Sequence, residues 1–206
     1  MLTYRASEPM ATEVELRFVH VDVPALEARL RKLGAAFLSS VTLREVRFAG
    51  LSGSPGEYTR ARDDGERVRL QYKAHDAAGY GATERELLLD SSVTLEAAVE
   101  FLTGMGLKRA FRVERRRAQW ALGPAIVSID QLPRIPPNVE VEAESLEDVH
   151  AACAKLGLNP KDHAGSGFVH IYRHYGVTLE RGDIVFTEAE RRAFPAPRFG
   201  SAAPSP

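Results

Sequence analysis

Charged and apolar residues alternate one by one along much of this chain. That period of two constrains the fold strongly, because an extended strand sends successive side chains to opposite faces. Over 12–20, Glu13, Glu15 and Arg17 fall on one face and Val14, Leu16 and Phe18 on the other. Arg60 and Arg62 share a face, and Arg67, Arg69, Gln71 and Lys73 alternate with Val68, Leu70 and Tyr72. Arg115 pairs with Arg117, Ser128 with Asp130, and Glu140 with Glu142 between Val139 and Val141.

The pattern predicts strands over 12–20, 36–48, 57–62, 66–74, 83–90, 108–122, 125–131 and 138–143, with a hairpin turning at Asp63-Asp64-Gly65. Helical spacing appears over 24–33, stopped by Gly34, and over 94–103 and 146–156; 168–175 reads as either strand or helix. About eight strands with sparse helices indicate an α+β fold, a mainly antiparallel β-barrel. Residues 1–11 read as a flexible leader, 12–180 as a single domain, and 191–206, rich in Pro, Ala and Ser, as a disordered tail.

What the charged faces are for follows from residue type. A sheet with one wet face explains any single strand, but such faces usually mix in Thr, Ser, Gln and Lys. Here the acids come in same-face pairs and the bases are nearly all Arg. Arginine recognises phosphate bidentately. Two glutamates side by side repel unless a cation lies between them, and carboxylates suit Mg²⁺ or Mn²⁺. Carboxylate pairs and arginines in one concave space therefore point to a metal bridging to a polyanion, most simply a triphosphate. Net charge is only −1, from 27 basic and 28 acidic residues, so no global field favours nucleic acid. Cys153 is the only cysteine, which rules out an internal disulfide and suits a reducing cytoplasm. No apolar run is long enough to span a membrane.

The ordered set resembles the CYTH superfamily, which includes class IV adenylate cyclases and thiamine or inorganic triphosphatases. The family signature ExExK is matched by Glu13-Val-Glu15-Leu-Arg17, its paired arginines by Arg60 and Arg62, and its following strand by Arg69 and Lys73. Its Lys-x-Arg pair, aspartate and closing ExE are matched by Arg115-Arg-Arg117, Asp130 and Glu140-Val-Glu142. The resemblance runs over roughly 12–175 and rests on the set, since no single piece is specific.

The resemblance implies a closed eight-stranded antiparallel barrel, the triphosphate tunnel, with the charged faces inside. It implies that Glu13, Glu15, Glu140 and Glu142 bind Mg²⁺ or Mn²⁺. Arg17, Arg60, Arg62, Arg69, Lys73, Arg115 and Arg117 would grip phosphate, and Asp130 would orient an arginine or a metal-bound water. Glu13, Glu15, Lys73, Asp130, Glu140 and Glu142 form the expected catalytic set. The substrate class is a small triphosphate: tripolyphosphate, thiamine triphosphate or ATP. Hydrolysis of the terminal phosphoanhydride is preferred, because no adenine-reading residues stand out; cyclisation of ATP to cyclic AMP and pyrophosphate is the alternative, and a non-catalytic triphosphate binder a second one. Relatives are often dimeric, so a homodimer is carried as an expectation. Arg17 and Arg115 stand where the family has lysine, which keeps the charge but gives up a group able to lose its proton. The second strand, LREVRFAG, also departs from the family's aromatic-rich pattern.

Other features carry blander readings. His170 and His174, four apart with His163 nearby, have a spacing that binds zinc, but Tyr172 and Tyr175 beside them favour packing. Glu114 and Arg116 are expected on the outside, Arg116 solvated, and Trp120 against a helix. Glu84 and Glu86 share a face and rank below the other carboxylates.

Overall fold

A computed structural model describes residues 12–50, 57–75, 81–165, 168–178 and 182–193. Its strands are β1 (Thr12–Phe18), β2 (Ala36–Ala49), β3 (Glu57–Asp63), β4 (Val68–His75), β5 (Gly81–Leu88), β6 (Arg109–Leu122), β7 (Ala125–Gln131) and β8 (Asn138–Ala143). Its helices are α1 (Val23–Lys32), α2 (Leu95–Gly104), α3 (Leu146–Leu156), α4 (Phe168–His174) and α5 (Glu188–Ala193). All eight strands form one antiparallel sheet in the cyclic order β1-β5-β4-β3-β2-β6-β7-β8. β8 pairs back with β1 from Val14↔Ala143 to Phe18↔Val139, whereas β1 meets β5 only at Thr12↔Thr83, Glu13↔Ala82 and Val14↔Gly81.

Local chemistry sets the element ends. Asp22 accepts from the Ala25 N–H at 3.0 Å to start α1, Thr94 does the same for α2 from Ala97 at 3.2 Å, and Ser145 for α3 from Asp148 at 3.1 Å. Gly157, at φ 73°, closes α3 in the left-handed conformation. The expected hairpin joins β3 to β4: Asp63 accepts from Gly65 N–H at 2.7 Å, and Asp64 Oδ1 accepts from Glu66 and Arg67 at 3.0 and 2.9 Å.

The apolar faces point outward and are covered by helices. Leu16, Phe18, Val127, Val139 and Val141 pack with Leu26 and Leu30 of α1 and Val149, Cys153 and Leu156 of α3. Val46, Phe48, Ala61 and Val68 lie under Leu95, Ala98 and Leu102 of α2. Ile171 and Tyr172 of α4 join Val113, Leu132, Ile135 and Ile184. The ambiguous segment at 168–175 is thus helical, and the Tyr172 hydroxyl donates to the Pro133 carbonyl at 2.7 Å. Trp120 packs as expected, edge-on to Phe37 at 5.1 Å and beneath Arg31 at 5.3 Å.

Two outer residues differ from expectation. Glu114, expected on the outside, is buried there because 182–193 crosses β6. Ile184 bridges Val113, and Glu114 accepts from Phe186 N–H at 3.1 Å and from Arg191 at 2.5 Å. Arg116 is half-buried with its guanidinium 5.0 Å over the Phe186 ring. The packed chain therefore runs past residue 180, and Arg191–Ala193, with which the expected tail begins, end α5. Residues 1–11 and 194–206 lie outside the described residues. No helix among the described residues is long and apolar enough to cross a membrane.

Candidate polyanion and metal site

With helices on the outer faces, charged residues of β1 to β6 and β8 converge on the concave side of the sheet. They line a cavity of about 810 Å³. Glu15 and Arg17 reach it from β1, Arg47 from β2, Tyr58, Arg60 and Arg62 from β3, and Arg69, Gln71 and Lys73 from β4. Glu84 and Glu86 come from β5, Arg115, Arg117 and Gln119 from β6, and Glu140 and Glu142 from β8.

Register explains the grouping. In the β1–β8 ladder Glu15 faces Glu142 and Arg17 faces Glu140. One carboxylate oxygen from each of Glu15, Glu140 and Glu142 lies within 4.8 Å of the others. Arg17 Nη2 sits 2.5 Å from Glu140 and 3.3 Å from Glu15. Burial opposes the charge on Arg17, but Glu140, Glu15 and Asp130 outweigh it and raise its pKa. For Glu140 burial works against ionisation, yet Arg117 and Arg17 hold the carboxyl well below its ordinary range. It is therefore an anion at neutral pH. Three carboxylates at this spacing offer the hard oxygen donors that Mg²⁺ and Mn²⁺ take, so the residues fit a divalent cation. The side chain of Glu13 lies outside the described residues; its backbone faces Ala82 of β5.

Arginines gather on β3 and β6. Asp130 is 1% exposed and lies behind the cavity wall. It takes Arg117 bidentately, Nε and Nη2 each donating at 2.7 Å, and Arg115 Nη1 at 3.2 Å. Arg117 Nη2 reaches on to Glu140 at 3.0 Å. Arg60 and Arg62 share a more distant carboxylate, Glu45, at 3.4 Å each. Burial, then the neighbouring Arg60 and Arg115 charges, pull the Arg62 guanidinium well below its usual pKa. Arg115 is lowered by burial and by Arg117, and its buried Nε has no hydrogen-bond partner. Since a guanidinium keeps its proton at working pH, these shifts signify positive charge that the protein has not balanced.

Lys73 stands between the two groups, 3.4 Å from Glu84. Burial lowers its pKa, but Glu15, Tyr58 and Glu84 raise it further, so it too is charged. Arg69 lies nearer the mouth, its side chain 36% exposed and held by Asp64 at 3.2 Å and Glu86 at 2.7 Å. His170 of α4 also lines the cavity. Sequence reasoning missed Glu45, Arg47 and Tyr58 as cavity-region residues. The signal for the first two was present in LREVRF, where Leu43, Glu45 and Arg47 alternate with the outer Val46 and Phe48.

No protein-family profile matches the chain, and no curated protein matches it in sequence. Solved structures do. The PH1012 protein of Pyrococcus horikoshii OT3 aligns at a TM-score of 0.67 and 19% identity, over 76% of this chain and 97% of that one. A candidate adenylate cyclase from Vibrio parahaemolyticus aligns at 0.67 and 13%, over 80% and 99%. The chain shares the fold of these solved structures. A candidate adenylyl cyclase from Hippeastrum, HpAC1, described as having a dominant triphosphatase activity, aligns more loosely, at 0.51 and 14%, over 82% of this chain and 98% of that one. At these identities the likeness is one of fold, and the chemistry must be argued from the residues of this cavity.

Proposed function

We propose that this chain is a metal-dependent CYTH-type enzyme that binds a small triphosphate inside a closed barrel and hydrolyses its terminal phosphoanhydride. The observation that carries the reading is one cavity holding two opposed charge groups. Glu15, Glu140 and Glu142 gather on β1 and β8, and Arg60, Arg62, Arg115 and Arg117 gather on β3 and β6, with Arg62 and Arg115 left under-neutralised. A polyanion carrying a divalent cation satisfies both groups.

In this reading Glu15, Glu140 and Glu142 hold the cation, which would supply Lewis-acid polarisation of a phosphoryl oxygen. Arg60, Arg62 and Arg115 offer hydrogen bonds to phosphate oxygens where charge builds during transfer. Asp130 fixes the plane of Arg117 through its two 2.7 Å contacts, so that guanidinium needs no reorganisation as charge develops. Arg17 bridges Glu15 and Glu140 and helps hold Glu140 ionised.

Cyclisation of ATP is the second reading, favoured by the structural neighbours named as candidate adenylate cyclases. The product assay separates the two. Purified protein is incubated with Mg²⁺ or Mn²⁺ and either tripolyphosphate, thiamine triphosphate or ATP, and phosphate, pyrophosphate and cyclic AMP are resolved. Phosphate release without cyclic AMP is the expected outcome. Equimolar cyclic AMP and pyrophosphate from ATP would make the protein a cyclase, and no metal-dependent turnover or binding would remove both readings.

A further inference from the structure

This inference rests on the reading of the cavity as a polyphosphate site. Glu45 faces inward from β2, opposite Arg62 in the β2–β3 ladder, while Arg47 faces Arg60 two residues on. Its side chain is only 1% exposed and is not part of the cavity wall, whereas Arg47, Arg60 and Arg62 around it are. Glu45 Oε1 accepts from Arg47 Nε at 2.7 Å. Its Oε2 lies 3.4 Å from Arg60 Nη1 and 3.4 Å from Arg62 Nε. Gln71 takes Arg60 Nε at 2.7 Å. Glu45 thus reaches all three guanidinium groups from behind the wall, while Gln71 and, at 3.7 Å, Glu84 meet Arg60 from the cavity side. The Nη nitrogens of Arg62 keep no hydrogen-bond partner among the described residues.

One carboxylate cannot neutralise three guanidinium groups, yet without it they would repel one another where water screens poorly, Arg47 and Arg60 being directly opposed across the ladder. We infer that Glu45 is the resident counter-ion of the arginine cluster, standing in for part of the anionic charge that a bound polyphosphate supplies and never touching that ligand. The same negative charge that keeps the arginines together before binding lowers their pull on the phosphate chain. Removing the charge while keeping the shape therefore destabilises the ligand-free protein and tightens its hold on an anion.

The test is thermal unfolding of the wild type, Glu45→Gln and Glu45→Asp, with and without inorganic tripolyphosphate, in chelator so that nothing turns over. Glu45→Gln is expected to melt lower alone, and tripolyphosphate at one fixed concentration to raise its midpoint by about twice the wild-type shift, as mass action requires of tighter binding. Glu45→Asp, which keeps the charge, should show the wild-type shift. An equal loss of stability with and without tripolyphosphate would make Glu45 a packing residue and overturn the inference, as would loss of the ligand-induced rise. Should Glu45→Gln not fold alone, it is expected to fold when tripolyphosphate is added, and failure there also overturns the inference. A wild-type protein with no rise of its own in chelator would overturn the inference, while the metal-dependent polyphosphate reading is tested separately by the product assay.

Discussion

At Glu140 one buried carboxylate accepts from Arg17 and Arg117 while sharing a face with Glu15 and Glu142. Glu140→Ala removes a proposed metal ligand and also leaves two buried guanidinium groups short of a partner. Turnover should be lost, and stability should fall by about 3 kcal/mol, the low end for a broken buried pair because Arg117 keeps Asp130 and Arg17 keeps Glu15. Activity assay and urea unfolding of the same preparation check both halves. Acid sensitivity follows from the same contacts. Burial raises the pKa of Glu45, Asp130 and Glu140, but arginine charges outweigh it and hold all three below their ordinary 4.5, 3.8 and 4.5. The unfolded chain then binds more protons, so their contribution is full above those ordinary values and is lost as pH falls through them toward the depressed folded values. Urea unfolding across pH 3 to 7 should show stability falling below about pH 5, less steeply in Glu140→Gln. That Glu15 and Arg17, Arg60 and Arg62, Arg115 and Arg117, and Glu140 and Glu142 share faces was legible from alternation, because a residue's face depends only on its neighbours in the strand. That those faces point inward was implied by the family resemblance. Glu45 was not picked out. Its importance lies in Arg60 and Arg62, which come from another strand.

The helices were readable where caps and spacing agreed. α3 begins at Ser145 and ends at Gly157, and the expected 146–156 coincides with it. Gly157→Ala should cost about 1–2 kcal/mol, since φ is 73° and a new Cβ would approach Arg29 Nη1 at 3.1 Å. Thermal or urea unfolding measures it, and a neutral result would mean that the α3 end relaxes. α4 was ambiguous because a segment this short fits either period. Its placement comes from Ile171 and Tyr172, fully buried against β6 and the loop after β7. Tyr172→Phe strands the Pro133 carbonyl in the interior and should cost about 1 kcal/mol. α5 was hidden in a charged run just before the Pro- and Ala-rich end, and packing on Glu114 and Arg134 defines it.

On the scale of the whole molecule, most of the apolar packing and the charged cavity occupy opposite faces of one sheet. The three apolar clusters lie outside it or beyond the cavity floor, and the cavity holds charge. Chelation by EDTA should therefore abolish metal-dependent phosphate release while the unfolding midpoint moves little, and metal should restore activity without refolding. A midpoint that collapses on chelation would show instead that the carboxylate cluster needs its cation to fold. By itself the sequence determined the two-residue period, the α+β class and which side of each strand is charged, because these depend on contacts between near neighbours. Tertiary structure alone decided that β1 lies between β5 and β8, that Glu15 meets Glu142, and that Asp130 and Glu45 stand behind the arginines. Those pairings join residues far apart in sequence, and in a space shielded from water the partner each charge finds sets its ionisation and its aim.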